Sequence, residues 1–201
     1  MREDTVRFRS GDYDIEGAYH AGASIKGAVI THPHPLYGGD MANPVVAAIA
    51  SAYQKRGYAT LRFNFRGTGQ SSGTYDQGIG EQADVIAAVD FLKRKGLPEI
   101  HLSGYSFGAW INAMALQGAF SVQGMTMVAP PVAFIEFADG LRLPMLSAVV
   151  AGSRDEYAPP DRIRPLMAQW NPEARMEIVD GADHFFFGFL EDVTRKLVDR
   201  I

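Results

Sequence analysis

The 201-residue chain contains no cysteine, which removes disulfides, thiolate metal ligands and a cysteine nucleophile together. It also lacks any apolar run approaching the roughly 20 residues that a membrane-spanning helix needs, so no membrane span is expected. Basic clustering is scarce. The 19 Lys and Arg are outnumbered by 23 Asp and Glu for a net charge of −4, and the longest basic block is Lys93-Arg94-Lys95. That is too little for the electrostatic footprint of a nucleic-acid-binding protein, and at the end of an expected helix those cations complement the helix dipole instead. The first residues, Met1 to Thr5, are charged and lead into alternation, with no apolar h-region, so no secretory signal is legible and a cytoplasmic protein is expected. Internal repeats and low-complexity linkers are missing as well.

What is present suffices for one sizeable core. With 47% hydrophobic and 21% charged residues, residues 1–201 read as a single domain. Arg7 to Ser10 and Asp12 to His20 alternate around Gly11-Asp12, the pattern of an antiparallel hairpin at a sheet edge. The period then changes. Gly27 to Thr31 reads as a short buried strand, and Pro44 to Arg56 carries apolar residues at helical spacing until Gly57 stops it. Strand and helix keep alternating: Tyr58–Phe65 and Glu81–Lys95, Ile100–Tyr105 and Phe107–Gln117, then the strands Gly124–Ala129 and Met145–Ala151. A helix near Asp161–Trp170, a strand Arg175–Val179 and a last helix from about Phe187 to Ile201 complete the series. Such alternation predicts an α/β fold, a mostly parallel twisted sheet with helices on both faces. Only about a dozen residues separate the strand ending at Ala129 from the next. They leave room for one helical turn around Val132 to Ala138 and no lid domain, so an open site is expected.

The most informative stretch is Gly104-Tyr105-Ser106-Phe107-Gly108, directly after one predicted strand and directly before a predicted helix. A strand turning sharply into a helix holds its apex residue in a strained, usually positive-φ conformation, and the residues two before and two after must be tiny for the backbones to pass. Gly104 and Gly108 meet that demand. The turn would push the Ser106 hydroxyl out of the sheet and aim the first amides of the helix at an oxyanion formed beside it.

Together with His32-Pro33-His34-Pro35 and Arg66-Gly67-Thr68-Gly69-Gln70-Ser71-Ser72-Gly73, this elbow resembles the α/β-hydrolase superfamily. The likeness is to its small lidless members, close to hydrolases with a His-Pro-His-Pro loop and to dienelactone-hydrolase-like esterases. The resemblance implies a serine nucleophile, an acid and a histidine in that chain order. Of the five histidines, only His184 lies downstream of Ser106, in the loop Asp180-Gly181-Ala182-Asp183-His184. The family's Gly-x-x-Asp-x-x-x-Pro pattern falls on Gly152 to Pro159 and makes Asp155 the acid, with Glu156 its nearest competitor and Asp183 disfavoured by its adjacency to His184. For the oxyanion hole, Phe107 N–H is the first donor. The second belongs to the loop after Thr31, where Pro33 and Pro35 have no N–H to give, leaving His34 first and Leu36 next.

Competing readings of the same residues are weaker. His32, His34 and Asp40 suggest a metal, but no third strong ligand stands at an obvious spacing, and neither a metal nor a cofactor is expected. Arg66 to Gly73 lacks the Gly-Lys-Ser/Thr ending of a phosphate-binding loop and reads as a structural turn with Arg66 paired to a carboxylate. Phe185, Phe186, Phe187 and Phe189 read mostly as core, with one or two left for substrate. The expected activity is acyl transfer to water from a small ester-like substrate, a carboxylic ester or thioester. The alternatives are a peptidase of the same fold releasing short N-terminal peptides and a noncatalytic binding protein. Self-association is not legible in the sequence.

Overall fold

The computed structural model describes residues 2–118 and 120–201. The N-terminal alternation closes into a hairpin: β1 (Asp4–Ser10) and β2 (Tyr13–His20) pair antiparallel across Gly11, whose φ of 57° suits a residue without a Cβ. The apolar runs become β3 (Lys26–Thr31), β4 (Ala59–Phe63), β5 (Glu99–Tyr105), β6 (Gly124–Val128), β7 (Leu146–Gly152) and β8 (Arg175–Val179). They form one 8-stranded sheet in the order β1-β2-β4-β3-β5-β6-β7-β8. β2 joins β4 antiparallel and every later pairing is parallel. Central strands buried on both faces carry near-continuous apolar sequence, as in Ala28-Val29-Ile30 and Met125 to Val128, all fully buried. The edge strands carry charge, Arg7 and Arg9 on β1 and Arg175 and Glu177 on β8, which blunts edge-to-edge pairing.

Among the described residues five α-helices cover the sheet: α1 (Pro44–Lys55), α2 (Ile79–Arg94), α3 (Phe107–Ala115), α4 (Pro160–Trp170) and α5 (Leu190–Val198). α1 packs with α5 and α2 with α3. Asn43 caps α1 by accepting the Val45 N–H at 2.9 Å, with Pro44 in the first helical position. β3, β5, β7 and β8 run parallel, so their carboxyl ends, at Thr31, Tyr105, Gly152 and Val179, open on the same edge of the sheet. Ligands of open α/β sheets bind outside that edge.

Two helix boundaries differ from the sequence reading for identifiable reasons. α2 begins at Ile79, not Glu81, because the buried Glu81 carboxylate reaches back to accept the Gly78 and Asp76 N–H groups, each at 2.8 Å, and so sits in the third helical position. α5 begins at Leu190, not Phe187, because Phe186 has φ 53° and Gly188 φ 79°, conformations that no helix contains. The expectation that most of the four phenylalanines are core is corrected with it. Phe186 is fully buried and Phe189 packs against the core, while Phe185 and Phe187 project into solvent. Between β6 and β7 the chain turns at residues 132–134, 139–140 and 144–145, and no helix forms there among the described residues.

Candidate active site

Ser106 sits at the apex between β5 and α3 with φ 54° and ψ −119°, a strained pair for a residue with a Cβ. Its N–H donates to Val128 O on the neighbouring strand at 2.9 Å, which anchors the turn to the sheet. Both flanking glycines are required by contact. A Cβ on Gly104 would lie 2.5 Å from Ala109 N, and one on Gly108 would lie 2.6 Å from Thr31 Oγ1 and 2.7 Å from His32 O. α3 can therefore press against the end of β3, which brings the His32 to Gly39 loop beside Ser106.

The structure brings Ser106, His184 and Asp155 together from three strand ends. Ser106 Oγ is 3.0 Å from His184 Nε2, and His184 Nδ1 is 2.8 Å from Asp155 Oδ2 and 3.0 Å from Oδ1. All three residues are buried. A proton on Nδ1 donated to the carboxylate leaves the Nε2 lone pair facing the serine hydroxyl, the arrangement in which an imidazole accepts a hydroxyl proton. Asp155 is fixed in turn by the Tyr157 and Ala158 N–H groups, which donate to Oδ1 at 2.9 and 2.7 Å. Asp183 is committed elsewhere, accepting the Phe185 N–H at 3.0 Å, and Glu156 is exposed.

Several supporting residues carried no sequence signal. The Tyr105 hydroxyl donates to His184 O at 2.9 Å, and burial raises that phenol well above its ordinary range, so it stays a donor. Ser153 clamps the acid loop to the histidine loop: its Oγ accepts the Gly181 N–H at 2.8 Å and lies 3.0 Å from Asp180 Oδ1, while Arg154 N–H donates to Ala182 O at 2.9 Å.

The His-Pro-His-Pro loop is held by its two imidazoles. His32 Nε2 accepts the Phe65 N–H at 3.1 Å, which places the proton on Nδ1, donated to Pro33 O at 2.7 Å. Desolvation in this fully buried position pushes its pKa down to about 4, consistent with a neutral ring. His34 Nδ1 accepts the Leu36 N–H at 3.2 Å, and its Nε2 is 3.3 Å from the Tyr75 hydroxyl. With all four ring nitrogens engaged, neither imidazole offers a metal a lone pair.

The same bonds decide between the two candidate oxyanion donors of this loop. Leu36 is corrected, since its N–H is taken by the His34 ring. Among the described residues neither the His34 nor the Phe107 N–H has an acceptor. The His34 ring lies 4.6 Å from the Phe107 ring, so the two residues that carry the free N–H groups are packed against each other.

Arg66 pairs with the buried Asp84, Nη2 to Oδ1 at 2.8 Å and Nε to Oδ2 at 3.1 Å, so this turn is a buried ion-pair anchor. Ser71 completes it by donating to Asn64 O at 2.7 Å and accepting the Glu16 N–H at 3.0 Å. Asn64 donates to Glu16 Oε1 at 2.6 Å and accepts the Met41 N–H at 2.7 Å.

A cleft of about 370 Å³ opens above Ser106, lined by the His34 loop, Pro131, Phe134, Ile135, Tyr157 and Phe185 among others. Its rim carries the exposed aromatics Tyr37, Phe134, Tyr157 and Phe185, and the segment between β6 and β7 contributes Pro131, Phe134 and Ile135 to the lining.

Fold, elbow and the converging strand ends define an α/β hydrolase. The alpha/beta hydrolase family model matches residues 29–194, and the chain belongs to that family. An uncharacterized protein of Rickettsia prowazekii is 32% identical over 207 residues, covering 96% of this chain and 87% of that one. Among solved structures, an alpha-beta serine hydrolase homologue from Coxiella burnetii superposes with a TM-score of 0.91 at 32% identity, covering 100% of this chain and 98% of that one. A lidless a/b serine hydrolase from Xanthomonas campestris gives a TM-score of 0.88 at 26% identity, covering 98% and 92% of the two chains.

Proposed function

We propose that the protein is a serine hydrolase acting by acyl transfer on small, neutral carboxylic esters or thioesters. The observation that carries this reading is the hydrogen-bonded line from Ser106 Oγ through His184 to Asp155, at 3.0 and 2.8 Å. In it, His184 Nε2 takes the Ser106 proton as Oγ attacks the carbonyl carbon. The resulting oxyanion accepts from the Phe107 and His34 N–H groups, and loss of one such donor typically costs about a hundred- to a thousandfold in rate. Collapse expels the alcohol or thiol, which leaves with the proton held on His184. Water then attacks the acyl-enzyme by the same route, with His184 as base.

Esters are favoured over peptides by the cleft lining, which contains no Asp or Glu to receive an N-terminal ammonium. A noncatalytic role would leave no reason for a strained serine to face an unprotonated imidazole nitrogen. Cytoplasmic placement belongs to the same proposal, and fractionation of the source cells checks it. The chemical test is a fluorophosphonate probe followed by mass analysis. The expected outcome is one adduct on Ser106, absent in Ser106→Ala, with ester turnover abolished in that variant and its melting unchanged. Unlabelled folded protein, or turnover retained by Ser106→Ala, would overturn the proposal, and turnover of aminoacyl amides in preference to acetate esters would overturn the substrate class.

A further inference from the structure

Five aromatic side chains stand in a continuous row around the mouth of the cleft. Tyr37 meets Phe134 at 6.4 Å, Phe134 meets Tyr157 at 6.1 Å, Tyr157 meets Phe185 at 6.4 Å, and Phe185 stacks on Phe187 at 6.0 Å and 27°. Phenylalanine is among the residue types most often fully buried, yet Phe185 is 51% and Phe187 77% exposed, beside Tyr157 at 43%. The backbone enforces the outward placement. Phe186 adopts φ 53° and turns its own ring fully into the core, while its two neighbours face solvent. A bulky residue held in that region marks a constraint, which here keeps Phe185 beside His184 and Phe187 stacked on Phe185.

Position along the reaction assigns the row a role. When the Ser106 Oγ to acyl-carbon bond forms and the carbon to alcohol-oxygen bond breaks, the carbonyl oxygen points to the Phe107 and His34 amides. The departing oxygen must then face His184 Nε2, which returns to it the proton taken from Ser106. The rings on the histidine side are Tyr157, centred 4.8 Å from the imidazole, and Phe185, centred 5.7 Å from it. The cleft lining holds no Lys or Arg to attract a carboxylate or phosphate on the departing group. We propose that Tyr157, Phe185 and Phe187 form a leaving-group subsite for a neutral aryl or arylalkyl alcohol, whose ring stacks on the row while the smaller acyl part occupies the cleft. The inference rests on the serine-hydrolase reading and adds the chemical class of the alcohol.

Benzyl acetate and cyclohexylmethyl acetate share an acyl group and present six-membered rings of similar size, one aromatic and one saturated. Because an aromatic pair adds roughly a two- to tenfold preference beyond apolar burial, kcat/KM is expected to favour benzyl acetate by about fivefold or more in the wild-type protein. That ratio is expected to fall to about twofold or less in the Phe185→Ala/Phe187→Ala double variant, whose sites are exposed enough to spare folding. A wild-type ratio near one, with both esters turned over, would overturn the subsite and leave the hydrolase reading standing. A ratio unchanged in the double variant would overturn it equally. No turnover of any ester by protein that also resists the fluorophosphonate would sink both. Co-sedimentation with neutral phosphatidylcholine vesicles, or self-association, lost in the double variant would assign the row to a surface contact and overturn the subsite.

Discussion

In the proposed mechanism, Asp155 is the residue through which the chemistry is most directly adjusted. Its carboxylate accepts from His184 Nδ1, Tyr157 N–H and Ala158 N–H, so its orientation is fixed from three directions. Asp155→Asn keeps the shape but presents an amide N–H to Nδ1, which favours the tautomer with its proton on Nε2, unable to accept from Ser106. The expected result is a fall in kcat of roughly ten-thousandfold with an unchanged melting temperature, measured by ester hydrolysis beside a thermal scan. A loss of less than tenfold would show that the carboxylate does not set the imidazole's tautomer. At this scale Ser106, Asp155 and His184 were legible because chain order and short motifs mark the positions where such side chains belong. Ser153 and Tyr105 were not, because a hydroxyl that bridges two loops has no pattern of its own until the loops are adjacent.

At the scale of elements, the join between α3 and β3 governs both donors proposed for the oxyanion. α3 supplies Phe107 N–H and β3 leads into the loop that supplies His34 N–H, and Gly108 is where the two backbones touch. Gly108→Ala would place a methyl 2.6 Å from Thr31 Oγ1 and 2.7 Å from His32 O, and the backbone oxygen cannot rotate away. Overpacking of this kind costs about 1–3 kcal/mol, so the urea midpoint is expected to fall. Turnover should drop further than stability alone explains, because the free N–H groups move apart. An activity equal to wild type in the folded variant would contradict that coupling. The elements themselves followed from apolar periodicity, since strands buried on both faces and helices buried on one leave different patterns. Their ends did not follow, as Glu81 and Phe186 show: one boundary was moved by a side chain reaching back to cap, the other by a strained φ, and neither alters periodicity.

For the whole molecule, the sequence gives a net charge of −4 and no sign of how two of its histidines will limit stability in acid. His32 locks the strand-end loop to Phe65 N–H, and burial holds its pKa down to about 4. His101, on β5, packs edge-on against Tyr53 and Tyr58, and desolvation, aided by the nearby Lys26 charge, lowers it to about 4 as well. Once unfolded, each imidazole takes up a proton near its ordinary value of 6.5. Between the two values the unfolded chain therefore binds more protons than the folded one, so stability is present above pH 6.5 and is lost as pH falls toward 4. His32 alone contributes about 2 kcal/mol of that loss between pH 7 and pH 5, with His101 adding to it in the same direction. Urea unfolding at the two pH values is expected to show a clear fall in midpoint at constant slope, and His101→Gln should make the fall smaller. A midpoint that does not move between pH 7 and pH 5 would mean that both imidazoles take up protons in the fold as readily as in the open chain, and that the His32 to Phe65 bond does not require a neutral ring.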